Sequence, residues 1–259
     1  KTIKILPDVQ SWRCITSGNA YTAIRNMEAS KVYGWDTAST LKTDGTYTID
    51  NNNVDTHLMK NVEWGAVAYL SKSSYGKNTV EVWINNDRTY TTGCAANSVS
   101  QSGYERCLNT YDSPDGLKAN TTGNIYGVYD MSGGSWERIS AYVDNGNSNL
   151  NTYGSSIINA NSKYKDVYQK NVTDDQANNY ALTINKKGDA IYETSNNVNG
   201  SYSWFGDYSY MANTTSVYLS RGGGWNNTTT SGVFAFGNAT GSESSVGGFR
   251  PVLLVAKGL

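Results

Sequence analysis

Apolar positions along the chain fall into short, irregularly spaced groups separated by long polar stretches. From Lys1 to Tyr33 the alternation is poor, and Trp12 with the run Ala20 to Met27 predicts one short helix. Asp36 to Asn53, rich in Thr, Asp, Asn and Gly, reads as a loop or irregular hairpin. Leu58, Val62, Ala66 and Tyr69 then recur at helical spacing, so the strongest helix is predicted from His57 to Leu70, with Asp55 or Thr56 as its N-cap. Val80 to Ile84 has the character of a short strand. Residues 86 to 123 are polar and contain a Ser113-Pro114-Asp115-Gly116 turn. An Asn/Ser/Lys/Tyr-rich region follows Val143 and runs to about Asn199. It is predicted to hold a helix near Asp174 to Tyr180 and a strand near Ala190 to Glu193. Strand patterns close the chain at Val217 to Arg221, Val233 to Phe236 and Phe249 to Val255. No repeat of fixed period is visible. Few short strands between long irregular loops predict an α+β fold, a single domain spanning residues 1 to 259.

Composition adds the nature of the core. Aliphatic residues are thin, while 7 Trp and 20 Tyr must supply much of the buried area. Charged residues are 17% of the chain and the formal net charge is -1, so no basic face is present for nucleic acid. Solubility then rests on Asn, Ser, Thr, Gly and Tyr. The same residues suit binding surfaces, where Tyr gives rigid contact and Ser, Gly and Asn adaptable hydrogen bonds; a loop-rich chain also needs them as turn formers. No apolar run is long enough to span a membrane. The chain starts at Lys1, which suggests a mature product or trimmed chain whose targeting segment has been removed.

Cys94 and Cys107 bracket a polar loop as a short disulfide in an oxidising compartment would. Cys14 is left over, and three free thiols remain the alternative. His57 is the only histidine, which excludes a histidine-cluster metal site and makes packing or capping its expected role. Ser132-Gly133-Gly134-Ser135 lacks the spacing of a nucleophile elbow, and Gly222-Gly223-Gly224 is not followed by the Lys-Ser/Thr pair of a phosphate loop. Sequons such as Asn120-Thr121-Thr122 and Asn213-Thr214-Thr215 follow from the composition.

Two segments carry a resemblance. Gly123 to Glu137 reads Gly-Asn-Ile-Tyr-Gly-Val-Tyr-Asp-Met-Ser-Gly-Gly-Ser-Trp-Glu, and Ser220 to Trp225 reads Ser-Arg-Gly-Gly-Gly-Trp, followed later by Gly248-Phe249-Arg250. In the same order, these resemble the signature and closing strands of the formylglycine-generating-enzyme branch of the C-type-lectin fold. Asp55 to Leu70 and Gly232-Val233-Phe234-Ala235-Phe236 are similar to hypervariable bacterial surface proteins, often with a pilin-like N-terminal anchor, and to the variable proteins of diversity-generating retroelements. The resemblance implies a C-type-lectin-like α+β domain with Asp130, Trp136, Arg221, Gly222, Gly223, Phe249 and Arg250 as scaffold. A buried Asp130 or Glu137 would be satisfied by backbone amides, Arg221 or Arg250.

The enzymatic traits of that branch do not transfer. No cysteine follows Cys107 to hold copper, a single histidine cannot build the iron site of related sulfoxide synthases, and Trp225-Asn226-Asn227 only echoes a lectin calcium motif, without its acid. The Asn/Asp/Gly-rich loops leave structural calcium open, but no full ligand set can be read, and no cofactor is expected. Between Arg221 and Arg250 the scaffold residues alternate with Gly224, Trp225, Asn226, Asn227, Ala235, Gly237, Asn238, Thr240, Ser242, Ser244, Ser245, Val246 and Gly247. Several are reachable from an Asn codon by adenine changes, as the resemblance implies for a diversified face. Alternation along a strand would leave Val233, Phe234 and Phe236 to the core. The expectation is a non-enzymatic protein at the cell surface or outside the cell, which does not insert into the membrane through this segment. Its thirteen-residue face, anchored by Trp225, would bind a protein or glycan on a host, cell or phage surface. The alternatives are a structural pilus or surface subunit, and an enzyme on the same fold.

Overall fold

The computed structural model describes residues 7–29, 40–41, 47–48, 54–97 and 106–255. Its centre is the strand β4 (Trp136–Asp144), in a sheet ordered β5-β4-β6-β7, with β8 also paired to β4. Here β5 is Asp166–Gln169, β6 Tyr218–Arg221, β7 Phe236–Ala239 and β8 Gly247–Phe249. Strand β4 runs parallel to β5 and β8 and antiparallel to β6, which in turn pairs antiparallel with β7. A separate pair joins β3 (Val54–Leu58) antiparallel to β9 (Pro251–Val255), so His57 lies opposite Val252. With β1 (Thr40–Leu41) antiparallel to β2 (Tyr47–Thr48) and the helices α1 (Ser17–Ala29), α2 (Asn61–Ser71), α3 (Ser148–Ile158) and α4 (Gln176–Ala181), the fold is α+β.

The period of two along β4 divides the core. Ile139, Ala141 and Val143 face a cluster with Trp64, Met131, Leu219, Phe234 and Phe236, while Tyr142 faces a second cluster with Tyr21, Leu150, Tyr164 and Tyr218. Trp64 of α2 is fully buried, and its indole Nε1 donates to the Val233 carbonyl at 2.8 Å, which ties that helix to the chain entering β7.

Several predicted elements move. Asp55 and Thr56 belong to β3, and α2 starts four residues beyond His57; the Glu63 carboxylate caps it by accepting from the Lys60 amide at 2.8 Å. Pairing with β9 overrides the helical spacing at His57 and Leu58. Val80 to Ile84 contributes only an isolated bridge between Ile84 and Ala96. In the stretch Ala190 to Glu193 the chain enters a 3-10 turn, Tyr192–Thr194, with Ala190 and Ile191 in the core. Val233 to Ala235 form a buried turn closed by the Ala235 amide on the Gly232 carbonyl at 3.0 Å, and β7 begins only at Phe236. The helix predicted near Asp174 is α4, with Asp175 accepting from the Asn178 amide as its N-cap. Of the predicted loop from Asp36 to Asn53, only β1 and β2 fall among the described residues.

Cys94 and Cys107 are bonded to one another and Cys14 is free and exposed. Among the described residues no helix is long and apolar enough to cross a membrane.

Candidate functional site: a groove beside the central strand

The frame beneath the site consists of buried polar groups with specific partners. Arg221, at the end of β6, is fully buried between the Trp64 and Phe236 rings; its Nη2 donates to the carbonyls of Ala190 at 3.1 Å and Asp189 at 3.3 Å. Burial lowers its pKa to about 10. Arg250 forms a bidentate pair with Glu137 of β4 and also donates to the Tyr129 carbonyl at 3.0 Å. Asp130 accepts from Asn85 Nδ2 at 2.7 Å and from the Gly93 amide at 3.1 Å. Burial pushes the carboxyls of Asp130 and Glu137 upward, against the Asn85 hydrogen bond and the Arg250 charge respectively. Phe249 packs its ring 5.4 Å from that of Trp12.

Above this frame lies a groove of about 400 Å³. Its aromatic wall is Trp136, Tyr208 and Tyr210: Trp136 meets Tyr208 edge-on at 5.9 Å, and Tyr208 stacks on Tyr210 at 5.9 Å. The indole Nε1 of Trp136 is fixed by the Asn227 side-chain oxygen at 3.0 Å, which also accepts from the Gly224 amide at 2.8 Å. Gly237 forms part of the floor, where a Cβ would approach the Trp136 ring to 3.1 Å, so a side chain there would displace the wall. Burial raises the Tyr208 phenol.

The structure brings six of the thirteen predicted face residues to this groove: Asn227, Gly237, Asn238, Ser244, Val246 and Gly247. Asn226 and Ser245 are exposed outside its lining, and Thr240 and Ser242, half-buried, bond to one another through their hydroxyls at 2.8 Å. Gly224 is buried. Trp225 is half-buried and does not line the groove; its amide donates to the Gly134 carbonyl at 2.8 Å. Ala235 departs most from the expected face. It is fully buried, and its carbonyl accepts from the Gly222 amide, because it lies in the turn before β7 and not in the strand, whereas Phe236 and Gly237 keep the expected core and groove sides. Trp136, expected to be scaffold only, supplies the aromatic surface instead.

Sequence reasoning missed Arg138, Tyr208, Tyr210, Ser220 and Ala239. The two tyrosines lie just before the Arg221–Arg250 segment, outside its bounds. Their spacing of two residues was the available signal, but a lone Tyr-x-Tyr is common in so Tyr-rich a chain.

The loop on the far side of the groove is held through its backbone. Ser17 donates its amide to the Gly241 carbonyl at 2.9 Å, Cys14 to Ser244 at 3.0 Å, and Trp136 to Val246 at 2.9 Å. The guanidinium groups of Arg138 and Arg13 donate to the carbonyls of Ser242 and Ser245. These bonds persist whatever side chains the loop carries. Among the described residues no three of His, Cys, Asp and Glu converge to hold a metal ion. The chain matches no protein-family model and no curated protein.

Proposed function

We propose that this protein is a ligand-binding domain displayed outside the cell or on its surface, with a C-type-lectin-like fold and a changeable face centred on the groove beside β4. The observation that carries the reading is the loop Gly241 to Val246. Five of its carbonyls accept from residues outside the loop, in the chain around Arg13 to Ser17 and on β4, while Ser244 and Val246 line the groove. Such a loop permits side-chain change without loss of the hydrogen bonds that position it, as a diversified binding surface requires. The fold reading is supported by the convergence of the two resembling segments: Glu137 of the first is paired with Arg250 of the second. Binding without catalysis is supported by the groove lining, which contains neither carboxylate, imidazole nor thiol to serve as base or nucleophile. The disulfide fits an oxidising compartment.

The test is to apply the labelled protein to a glycan array and to an array of cell-surface proteins, beside the variants Val246→Trp, which fills the groove, and Trp225→Ala. Capture lost in Val246→Trp and kept in Trp225→Ala is expected. Capture unaffected by Val246→Trp, in a protein with unchanged melting temperature, would place binding elsewhere. Silence of the wild type on both arrays would remove the reading.

A further inference from the structure

Among the residues lining the groove, the one side chain charged at neutral pH is Arg138, which is 4% exposed. Its Nη1 donates to the Ser17 hydroxyl at 3.1 Å and its Nη2 to the Ser242 carbonyl, both neutral acceptors, while its Nε has no partner. Among the described residues no carboxylate forms an ion pair with it, and burial alone works against its charge. Glu243, on the same loop, is exposed and lines the neighbouring cleft beside Trp12 and Cys14 instead. Arg13 holds the other end of the loop through the Ser245 carbonyl. The contrast lies on the same strand: Glu137, one residue earlier, is matched by Arg250 in full bidentate geometry. A buried cation without a counter-charge is a standing electrostatic cost unless something outside the chain neutralises it.

Arg138 is one of the residues that border the groove. Position 247 is a glycine, and a Cβ there would sit 3.3 Å from Arg138 Nη2 and 3.4 Å from Nε, against the edge of the guanidinium. Trp136, half-buried and two residues earlier on the same strand, borders it with the stacked tyrosines and with Ser220, the cross-strand partner of Arg138. An aromatic wall beside a hydroxyl group suits the faces and rims of sugar rings. Together with one unneutralised cation, the geometry points to an acidic glycan as ligand: a sugar residue packed on Trp136 with its carboxylate drawn to Arg138. This inference rests on the reading of the groove as the binding site and names the chemistry that it takes.

The experiment measures binding of the intact protein to sialyllactose and to trigalacturonate, each beside its methyl ester, which keeps the ring and loses only the charge. An Asp/Glu-rich peptide of equal charge serves as the other arm. At least one acid sugar should bind about tenfold or more tightly than its ester, with the difference shrinking as salt is raised. Arg138→Gln should erase that difference, and Arg138→Lys should retain part of it. The acid–ester comparison needs no variant, so it decides the matter even if Arg138→Gln fails to fold. Equal binding of acid and ester, abolished by Val246→Trp, would overturn the charge inference while the groove remained the site. Preference for the peptide, or binding of neither acid sugar, would overturn the acidic-glycan inference and leave the groove to the array test.

Discussion

The guanidinium of Arg250 closes on the carboxylate of Glu137 with Nε 2.9 Å from Oε2 and Nη2 2.5 Å from Oε1. The pair binds the junction of β8 and β9 to the second residue of β4, at the base of the groove. Removing one partner leaves the other charge in a largely dry position, so Glu137→Gln should destabilise the fold by about 3 kcal/mol. The measurement is the urea midpoint at unchanged slope. Replacing both residues by apolar ones of similar volume should cost less than the single change; a single-site loss well under 1 kcal/mol would show that water already screens the pair.

His57, 2% exposed, lies between two carboxylates, with Nε2 2.9 Å from Glu63 and Nδ1 3.2 Å from Asp55. Burial opposes its protonation, but the hydrogen bonds and charges of Asp55 and Glu63 prevail and raise its pKa above 6.5. Asp55, which also meets Lys163 and Arg25, and Glu63, beside Lys60, are held below their ordinary values of 3.8 and 4.5. The imidazolium contribution is complete below pH 6.5 and lost as pH rises through the higher folded value. The carboxylate contribution is present above 4.5 and lost as pH falls. The contribution of this cluster to stability in urea should therefore be greatest between pH 4.5 and 6.5 and decline on both sides. His57→Gln should remove the part of the alkaline decline that this cluster carries, leaving that of buried Asp207, whose carboxyl is pushed up to about 8; a profile unchanged by the variant would assign the whole decline to other groups.

Backbone anchoring of the loop separates tolerant from intolerant positions. Substitutions at Ser245 and Val246, both exposed, should change stability by no more than about 0.5 kcal/mol. Ala235→Asn, in a fully enclosed position, should cost about 3 kcal/mol or more through overpacking and an unpaired amide. Thermal unfolding of a small panel measures both, and equal costs at the two kinds of position would contradict the division.

The Cys94–Cys107 bond closes a loop with a sequence separation of 13. Reduction should lower stability by about 3 kcal/mol. Cys14→Ser should leave it unchanged, because Cys14 is exposed and unbonded. Urea unfolding with and without reductant checks both, and a large effect of Cys14→Ser would mean that its backbone position, at φ +55, depends on the thiol-bearing side chain.

Local signals were legible where local physics decides. The apolar run in Ala20 to Met27 falls within α1, the helix expected near Asp174 to Tyr180 is α4, and the strand pattern ending at Arg221 is β6. The central strand β4 was not legible, because Glu137, Arg138 and Ser140 interrupt its apolar positions and only their partners across the fold allow them to be buried. Helix α3 was missed for a similar reason: Asn and Ser dominate Asn147 to Ser156, and burial of Leu150 and Ile157 against α1 is a tertiary matter.

By itself the sequence determined the α+β character and the aromatic core, since composition and local patterning act over short distances, and it offered the Cys94–Cys107 pairing that the structure contains. Only the tertiary structure decided which side chains of the Arg221–Arg250 segment reach the surface. The turn Val233 to Ala235, which delays β7 to Phe236, buries Ala235, the Gly134 carbonyl holds the Trp225 amide, and Trp136 and Arg138 of β4 join Tyr208 and the closing segment to form the groove. Strand register and the destination of each buried charge are set by partners a hundred residues away, and no local pattern encodes them.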